Sequence, residues 1–411
     1  MRSNAMMFDR ACTRATAGAE VARGGRRWCG RAWAVTVLAA LVAACAQPVP
    51  HTTAALPTPS VRAARGAAPG AAPASATHAR AQAAEARIYV ANQTAATISV
   101  IDPLTDSLIT TVDLQKLGFP ATAKPHDTAV EPDGSYWYAS LIGANAVVKF
   151  DRNNHVVAKA TMEIPGLLAL DPKSDLLYAT RTMSAVNPPQ RVGIIHRSTM
   201  TVDEVDVFIP RPHAVAVDPR GGYAYVGSLA ENQIATINGN SEQVTLSKIP
   251  GDSMRMIVEL AVSPDGTRMV GTDQMGSAVL VFDATTPTAL RQLDVIPVDP
   301  WPWHVSFTPD GKQVWLGSQR GNSVTAIDAG TWKVDAVVKG NGLAEPHGIV
   351  ISPDGRTVFV SNHNQQGAYT PAHPRPKGTG TVVAIDRARH TISRVIETDG
   401  DAVGMSLTGR P

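Results

Sequence analysis

A short unit of two apolar segments joined by a proline-containing turn recurs along this chain and restricts the folds open to it. In residues 347–364, apolar residues alternate with other residues on both sides of the turn Pro353-Asp354-Gly355. Alternation around such a turn is typical of a β-hairpin. The turn proline recurs at spacings of 40, 47, 45, 45 and 44 residues, at Pro132, Pro172, Pro219, Pro264, Pro309 and Pro353.

Each repeat contains more than one hairpin. After the turn comes a second apolar segment, such as Tyr223–Ser228, and then a third that often ends in an apolar residue followed by Asp, such as Phe282-Asp283. A fourth segment is visible in Val334–Val338 and in Ile392–Ile396. Four short strands in a repeat of this length are the pattern of a β-propeller blade. The strands read as nearly continuous apolar runs because neighbouring blades cover both faces of each sheet.

The two ends of the repeat region each hold part of one blade. Residues 87–114 begin at a second strand, and Val403–Gly409 aligns with the innermost strand of the other repeats. A terminal strand that joins the first blade leaves no free sheet edge at the seam. The sequence therefore predicts an all-β fold over residues 86–411, a seven-bladed β-propeller closed by a C-terminal strand that completes the first blade.

Residues 1–45 have the features of an export signal. An Arg-rich stretch precedes the apolar run Ala32–Ala44, which is 13 residues long and short for a membrane span. The run ends Leu41-Val42-Ala43-Ala44-Cys45, which resembles a bacterial lipobox, and the resemblance implies that Cys45 is lipidated. We therefore expect a lipoprotein signal peptide, with an ordinary signal peptide as the alternative. Ala46 after the cysteine implies, by the same resemblance, a periplasmic protein anchored in the outer membrane.

Composition beyond the signal fits a tethered domain. Residues 46–85 are dominated by Ala, Pro, Thr and Ser, as in a flexible tether. Residues 1–85 hold ten Arg, no Lys and three acids, so the other residues hold 27 basic and 32 acidic groups. That mildly acidic balance argues against nucleic acid as a partner. No cysteine follows Cys45, so the domain has no disulfide, and we expect a monomer stabilised by packing.

Three of the second strands carry a shared motif. They read Tyr-Val-Ala-Asn at 89–92, Tyr-Val-Gly-Ser at 225–228 and Phe-Val-Ser-Asn at 359–362. With the Pro-Asp-Gly turns, they resemble the seven-bladed "YVTN" propeller family over residues 87–409. The resemblance implies the fold. It leaves the function open, because that family includes surface proteins, binding proteins and relatives of lactonases and haem-d1 propellers.

Histidines recur at the start of the predicted innermost strands. His126, His213 and His347 each follow a proline, and in the sixth blade Trp303 has the equivalent position with His304 one residue later. Strand starts in a propeller lie around the central channel, so these side chains can converge there. We predict a histidine cluster that binds a divalent metal, zinc or copper, since neutral imidazole is a ligand of both. The alternative is that Pro-His only marks the start of the strand, with each His bonding the backbone of a neighbouring blade.

The loop Asn362–Gly380 of the seventh blade is longer than its equivalents, and long loops in compact domains are often functional. It supplies His363 and His373 as further candidate metal ligands and Tyr369 and Arg375 as candidate ligand-binding residues. The alternative is a solvated, Pro-rich excursion. Trp303 is a candidate to stack on an organic ligand, with packing between blades as its alternative.

Three functions are compatible with these residues. The first is an exported, lipid-anchored scaffold that binds a small molecule, a metal or a protein on the channel face. The second is a metal-dependent hydrolase or lyase, similar to lactonases, in which Asp127 or Glu259 acts as general acid or base. The third is a haem-d1 or redox-associated propeller. We find no nucleophile elbow, phosphate loop, zincin motif or covalent haem motif, so whether the protein is an enzyme stays open.

Overall fold

The structure, a computed structural model, describes residues 86–181 and 190–408. These residues form seven four-stranded antiparallel sheets, and the prediction of a seven-bladed β-propeller is confirmed. A single 3-10 turn, Ile142–Ala144, is the one helical segment of the described residues. None of the helical structure in this part of the chain is long and apolar enough to cross a membrane. The predicted signal peptide with Cys45 and the predicted tether 46–85 lie outside the described residues.

The 28 strands follow one another with short connections. In chain order they are β1 (Ile88–Asn92), β2 (Thr97–Asp102), β3 (Ser107–Asp113), β4 (Pro125–Val130), β5 (Tyr136–Leu141), β6 (Ala146–Asp151), β7 (Val156–Thr161), β8 (Pro165–Leu170), β9 (Leu176–Arg181), β10 (Arg191–His196), β11 (Thr201–Asp206), β12 (Pro212–Val217), β13 (Tyr223–Ser228), β14 (Gln233–Asn238), β15 (Val244–Lys248), β16 (Ile257–Val262), β17 (Arg268–Asp273), β18 (Ala278–Asp283), β19 (Arg291–Pro297), β20 (Pro302–Phe307), β21 (Gln313–Ser318), β22 (Ser323–Asp328), β23 (Lys333–Lys339), β24 (Pro346–Ile351), β25 (Thr357–Asn362), β26 (Thr379–Asp386), β27 (Thr391–Asp399) and β28 (Ala402–Leu407).

The first blade is built from both ends of the propeller. Its strand order is β28-β1-β2-β3, whereas each of the other six blades uses four consecutive strands. In the shared blade Ile88 pairs with Leu407, and the Thr408 backbone N–H donates to the Arg87 carbonyl at 3.0 Å. The predicted closure by a C-terminal strand is therefore confirmed. The innermost strands β28, β4, β8, β12, β16, β20 and β24 contact each other in turn and surround the central channel.

The hydrophobic core lies between the blades. The middle position of the second strand in each blade is buried, and in six of the seven blades an aromatic residue fills it. The seven residues, from the first blade to the seventh, are Tyr89, Tyr138, Tyr178, Tyr225, Val270, Trp315 and Phe359. Rings also stack from blade to blade, as between Tyr89 and Trp137, whose centroids lie 4.5 Å apart. We call these seven positions the aromatic slot, and they explain the recurrent aromatic residue of the strand motif.

The Pro-Asp-Gly turns join the first and second strands of a blade on the face opposite the strand starts. At the turn after β24, Asp354 accepts hydrogen bonds from Ser352 Oγ and from the Arg356 backbone N–H. Gly355 has a φ of 71°, a left-handed conformation that glycine adopts without steric cost. The turn chemistry therefore accounts for the regular spacing of this tripeptide.

Candidate functional site

Every innermost strand begins with an irregularity at the channel. The pairing between first and second strands shifts register within the first few residues in all seven blades. The residue before the strand has a positive φ in six blades: Lys124, Ile164, Arg211, Trp301, Glu345 and Asp401. Bulges re-aim side chains, and positive φ is costly for large residues such as Trp. The fold therefore maintains local strain where side chains are directed at the channel.

Two rings of side chains follow from this geometry. The mouth ring is the second residue of each innermost strand, from the second blade around to the first: His126, Gly166, His213, Val258, Trp303, His347 and Val403. The deep ring is the third residue in the same order: Asp127, Leu167, Ala214, Glu259, His304, Gly348 and Gly404. Of the candidate residues on these strands, His304, Asp127 and Glu259 belong to the deep ring, and His126, His213, Trp303 and His347 belong to the mouth ring.

The mouth and deep rings bring imidazoles from different blades together. The His126 ring centroid lies 6.3 Å from that of His213 and 6.2 Å from that of His347. The His347 centroid lies 4.6 Å from that of His304 and 4.8 Å from that of His363, which follows β25. We call these five residues the histidine cluster. Five of the six predicted metal-binding histidines are therefore neighbours in the structure.

One nitrogen of each of two mouth-ring histidines is fixed by an oxygen acceptor. His213 Nδ1 lies 2.9 Å from the Val258 carbonyl, and His126 Nδ1 lies 3.4 Å from Gln93 Oε1. The Val258 carbonyl only accepts, so His213 Nδ1 carries the proton and His213 Nε2 presents a lone pair. We infer the same arrangement for His126 from its contact with Gln93. Both Nε2 atoms, together with His347 Nδ1, are buried and have no hydrogen-bond partner among the described residues. His213 thus does bond a neighbouring blade's backbone, as the alternative reading requires, but it keeps its second nitrogen free.

His363 is oriented by residues of three blades. Its Nδ1 contacts the Asp401 carboxylate, and its Nε2 lies 3.0 Å from the Gln319 carboxamide nitrogen. Gln365 Nε2 donates to the same Asp401 oxygen at 2.7 Å. A carboxylate behind an imidazole sets its tautomer and its ring orientation. His363 therefore sits at the rim of the cluster with both nitrogens engaged.

Burial keeps four imidazoles of the cluster neutral at pH 7: His126, His213, His304 and His347. His213 and His347 are each 2% exposed, and desolvation is the largest influence on both. It lowers the pKa of His126 to about 3 and that of His213 to about 4. It also lowers the pKa of His304 and His347 well below the ordinary value, and the neighbouring imidazoles add to the effect. Neutral imidazole with a free lone pair is the form that binds metal ions.

The deep ring carries two acids, of which Asp127 is buried and Glu259 has a side chain that is 13% exposed. Burial raises the pKa of Asp127 to about 7 and that of Glu259 well above its ordinary value, with repulsion from Asp127 as a further cause for Glu259. Asp127 Oδ2 accepts the Leu168 backbone N–H of the next blade at 2.9 Å. Glu259 Oε2 lies 3.3 Å from His304 Nε2. The deep ring therefore adds oxygen ligands and potential proton carriers to the histidine cluster.

Trp303 forms part of the cluster wall. Its ring stacks on His213 with centroids 6.1 Å apart and meets His347 edge-on at 4.9 Å. It is 6% exposed, packs against Leu229 and Val258, and its Nε1–H has no partner among the described residues. The packing between blades that we gave as its alternative role is present, and the ring also contacts two histidines of the cluster.

Hydroxyl groups on the second strands hold the mouth ring in place. Thr180 Oγ1 donates to the His213 carbonyl at 2.8 Å, and Thr272 Oγ1 donates to the Trp303 carbonyl at 2.7 Å. Ser361 Oγ donates in the same way to the carbonyl of Val403. Each hydroxyl reaches from one blade to the irregular strand start of the next. The Ser or Thr of the strand motif therefore supports the site from the blade beside it.

The structure does not bring three predicted residues to the cluster. Tyr369 Oη donates to Glu397 at 2.9 Å, His373 Nδ1 lies 3.4 Å from the same carboxylate, and Arg375 contacts Asp399 at 3.0 Å. Glu397 and Asp399 lie on β27, the outermost strand of the blade, and the His373 side chain is 89% exposed. The predicted ligand-binding roles of these residues stay predictions, and only the first part of the loop reaches the channel.

The structure adds residues that sequence reasoning missed. Gln93, Gln319, Gln365 and Asp401 all contact histidines of the cluster or their partners. Gln93 and Gln319 occupy the position directly after the second strand, which is also the position of His363. A comparison of that position across blades would have found them. Within residues 86–181 and 190–408, no three His, Cys, Asp or Glu side chains already stand close enough to share a metal ion.

Comparison with known proteins supports the fold. No protein-family model matches the chain. A segment of 71 residues, 17% of this chain, is 34% identical to hydrazine synthase subunit beta of Kuenenia stuttgartiensis, and the match spans only 18% of that protein. The solved Kuenenia stuttgartiensis hydrazine synthase aligns with a TM-score of 0.52 and 21% identity over 64% of this chain and 78% of that chain.

Other solved propellers align over more of the chain. A presumed 6-phosphogluconolactonase from Bacteroides fragilis NCTC 9343 aligns with a TM-score of 0.59 and 14% identity, over 79% of this chain and 98% of that chain. A functionally unknown protein from Desulfotomaculum acetoxidans DSM 771 aligns with a TM-score of 0.62 and 13% identity, over 79% of this chain and 99% of that chain. At these identities the similarity establishes the propeller fold.

Proposed function

We propose that the protein is a binding protein whose histidine cluster holds a divalent transition-metal ion, zinc or copper, at the mouth of the channel. The observation that carries the proposal is the arrangement of nitrogens in His126 and His213. In each ring Nδ1 faces an oxygen acceptor, while Nε2 is buried without a partner. Metal-binding histidines are oriented in this way by second-shell oxygens. Leaving buried polar atoms unpaired is unfavourable unless a ligand satisfies them.

Metal binding requires the rings to approach one another. Two imidazoles on one tetrahedral ion have centroids roughly 5 Å apart, given metal–nitrogen bonds of about 2.0–2.1 Å. The centroids of His126 and His347 lie 6.2 Å apart. The rings must therefore close by roughly 1 Å, which small side-chain rotations provide. His347, at the centre of the cluster, is the residue shared by the shortest ring contacts.

Calorimetric titration of the metal-free protein with Zn²⁺ and with Cu²⁺ tests the proposal. We expect one tightly bound ion per chain, and we expect His126→Ala, His213→Ala and His347→Ala each to lower the affinity at least about tenfold. His155→Ala is the matched control, since His155 is exposed beside Asp151, outside the cluster. Elemental analysis of the purified protein provides an independent count of bound metal. Absence of binding by the wild type, or equal binding by all four variants, would contradict the proposal.

A metal-dependent hydrolase or lyase is the second candidate function. Asp127 and Glu259 support it. Burial raises the pKa of both carboxyl groups, and both residues belong to the deep ring beside candidate metal ligands. A carboxyl group of raised pKa next to a metal can act as general acid or base. The similarity to the presumed lactonase adds only that a protein presumed to act on a lactone has the same fold. Turnover of lactones or simple esters by the zinc-loaded protein, lost in Asp127→Asn or Glu259→Gln, is the measurement that favours this function over binding alone.

We also infer, from the three strand motifs and the lipobox-like sequence, a member of the YVTN propeller family that is anchored through Cys45 in the periplasm. The resemblance of Leu41-Val42-Ala43-Ala44-Cys45 to a lipobox supports the anchor. Expression of the full chain in a bacterium with radiolabelled palmitate is the test. Labelling and detergent-phase partition are expected for the wild type and lost in Cys45→Ser. An unlabelled wild-type protein would refute the anchor without affecting the proposed metal site.

A further inference from the structure

Glu259 has an unusual environment for a carboxyl group whose side chain is only 13% exposed. Its Oε1 accepts the Leu260 backbone N–H at 3.1 Å, and its Oε2 lies 3.3 Å from His304 Nε2. The contact with His304 does not have hydrogen-bond geometry, because His304 Nε2 lacks a hydrogen-bond partner among the described residues. The same residues place no Lys or Arg nitrogen within ion-pair distance of this carboxyl group. An acid so little exposed to water either keeps its proton or has a cation as its partner.

The separation of the two atoms fits a shared metal ion. Two ligand atoms bound to a tetrahedral ion at about 2.0–2.2 Å stand roughly 3.3–3.5 Å apart. The measured distance between Glu259 Oε2 and His304 Nε2 is 3.3 Å. His347 is the next ring, with its centroid 4.6 Å from that of His304 and its Nδ1 unpaired. An ion between Glu259 and His304 would therefore also be within reach of His347 after a small rotation.

We propose that Glu259 and His304 join His347 as ligands of the metal ion proposed above, beside His126 and His213, and that the charge of Glu259 makes the site selective for a divalent over a monovalent cation. This inference rests on the proposed metal-binding function. His304 and His347 bind as neutral imidazoles, so Glu259 is the one of these three ligands that supplies negative charge to a doubly charged ion. Its donors are nitrogen and oxygen, which suit divalent zinc, whereas monovalent copper and silver prefer sulfur ligands.

Asp127, the other acid of the deep ring, is bound differently. Its Oδ2 accepts the Leu168 N–H of the third blade, and its backbone N–H donates to Ser140 Oγ. A side chain at Gly404 of the first blade would overlap Asp127 Oδ1, so the carboxyl group is packed between two neighbouring blades. Asp127 therefore braces the strand starts. Glu259, by contrast, presents one oxygen directly to an imidazole nitrogen.

Competition titrations with Zn²⁺ and with Ag⁺, a stable monovalent probe, test this assignment. We expect Glu259→Gln to lower the Zn²⁺ affinity by about 10- to 100-fold and to leave the Ag⁺ affinity nearly unchanged. Glu345→Gln is the matched control. Glu345 also lies at the channel face, but its carboxylate accepts hydrogen bonds from Gln366. Its contact with the cluster is through the backbone carbonyl, which accepts the His363 N–H at 3.2 Å and is retained in the variant. This control is expected to bind both ions like the wild type.

The outcomes separate the two proposals. A wild type that binds no Zn²⁺ overturns the metal-binding function itself. A wild type that binds Zn²⁺ while Glu259→Gln loses nothing, or loses both ions equally, overturns only the role of Glu259. Should Glu259→Gln fail to fold, X-ray absorption on the zinc-loaded wild type decides, because a Glu259 oxygen at about 2.0–2.2 Å supports the assignment. A crystal structure with zinc bound by imidazoles alone overturns it.

Discussion

The aromatic slot and the mouth ring are both sets of seven equivalent positions, yet they differ in how their residues vary. The aromatic slot holds a buried aromatic residue in six blades and Val270 in the remaining one. The mouth ring holds three His, one Trp, two Val and one Gly. The aromatic slot lies in strands of regular pairing, whereas the mouth ring lies where the register shifts in every blade. One set is uniform and regular, and the other is diverse and strained.

The difference separates residues that build the fold from residues that are available for a ligand. The equivalent position between blades has the same packing surroundings in every blade, so the same type of residue fills it each time. Equivalent positions around a channel face one shared space, and a ligand in that space needs different side chains from different directions. Variation at a repeated position, combined with burial of polar groups, therefore marks the candidate site.

The largest effect is expected in the aromatic slot. Phe359→Ala removes a fully buried ring between the blades, and we expect a loss of about 3–5 kcal/mol in the free energy of unfolding. Phe208→Ala is the matched control, because Phe208 is 60% exposed and its loss should change stability by less than about 0.5 kcal/mol. Urea unfolding measures both. Similar losses for the two variants would mean that the aromatic slot is not what holds the blades together.

A smaller effect is expected where the first blade meets the mouth ring. A methyl group at Gly404 would overlap Asp127 Oδ1 and the His126 carbonyl, whereas one at Gly330 has its nearest neighbour at 3.4 Å. Gly404→Ala should cost about 1–3 kcal/mol through overpacking and should weaken Zn²⁺ binding, since it displaces His126. Gly330→Ala serves as the control in both the unfolding and the titration experiments. A Gly404→Ala protein with unchanged metal affinity would show that the seam does not shape the site.

The buried histidines make stability depend on pH. Burial lowers the pKa of His213 to about 4, while an unfolded His titrates near 6.5, so between these values only the unfolded chain takes up the proton. The metal-free wild type should therefore lose about 1 kcal/mol more than His213→Asn between pH 6.5 and 5.5, because the unfolded histidine is already half protonated at pH 6.5. Thermal or urea unfolding with a chelator present at both pH values measures the difference. His155→Asn should behave like the wild type, and a His213→Asn protein that loses as much as the wild type contradicts the expectation.

The smallest effect is expected from the hydroxyl groups that support the mouth ring. Thr180→Val keeps the shape of the side chain and removes the hydrogen bond to the His213 carbonyl, which should cost about 1 kcal/mol. If the variant loses more free energy of Zn²⁺ binding than free energy of unfolding, the hydrogen bond positions His213. Thr105→Val, at an exposed turn, is a control that should leave both quantities unchanged. Equal behaviour of the two variants would remove the proposed positioning role.

Much of the fold and part of the site follow from local sequence patterns. The repeat predicts the blades, and alignment of the repeats puts His126, His213, Trp303 and His347 in one ring, because the same strand start recurs in each blade. The contact of His363 with Asp401 was not predictable in this way. Asp401 belongs to the blade that closes the propeller, so the contact depends on closure of the ring and not on any local pattern.

The long loop of the seventh blade shows what composition alone could not predict. Its composition predicts that Tyr369, His373 and Arg375 line the site, but composition does not reveal where a loop attaches. The acids Glu397 and Asp399 on β27 accept hydrogen bonds from the loop and draw it to the outer edge. Both partners lie more than twenty residues from the loop residues that they bind, so their pairing depends on the registry of β26 with β27. Without that registry, the sequence could not show whether the loop lines the channel or attaches to the outer strand β27.

Closure by β28 also sets the order in which the protein can mature. A ribosome releases β1, β2 and β3 early, but the strand that must lie beside β1 is translated only when synthesis reaches Leu407. Until then His126 and Asp127 lack Val403 and Gly404 as neighbours, and the central channel is open on one side. The ring of innermost strands around the channel therefore closes only when β28 has been synthesised. A chain that ends shortly before β28 would contain six whole blades but an incomplete candidate site.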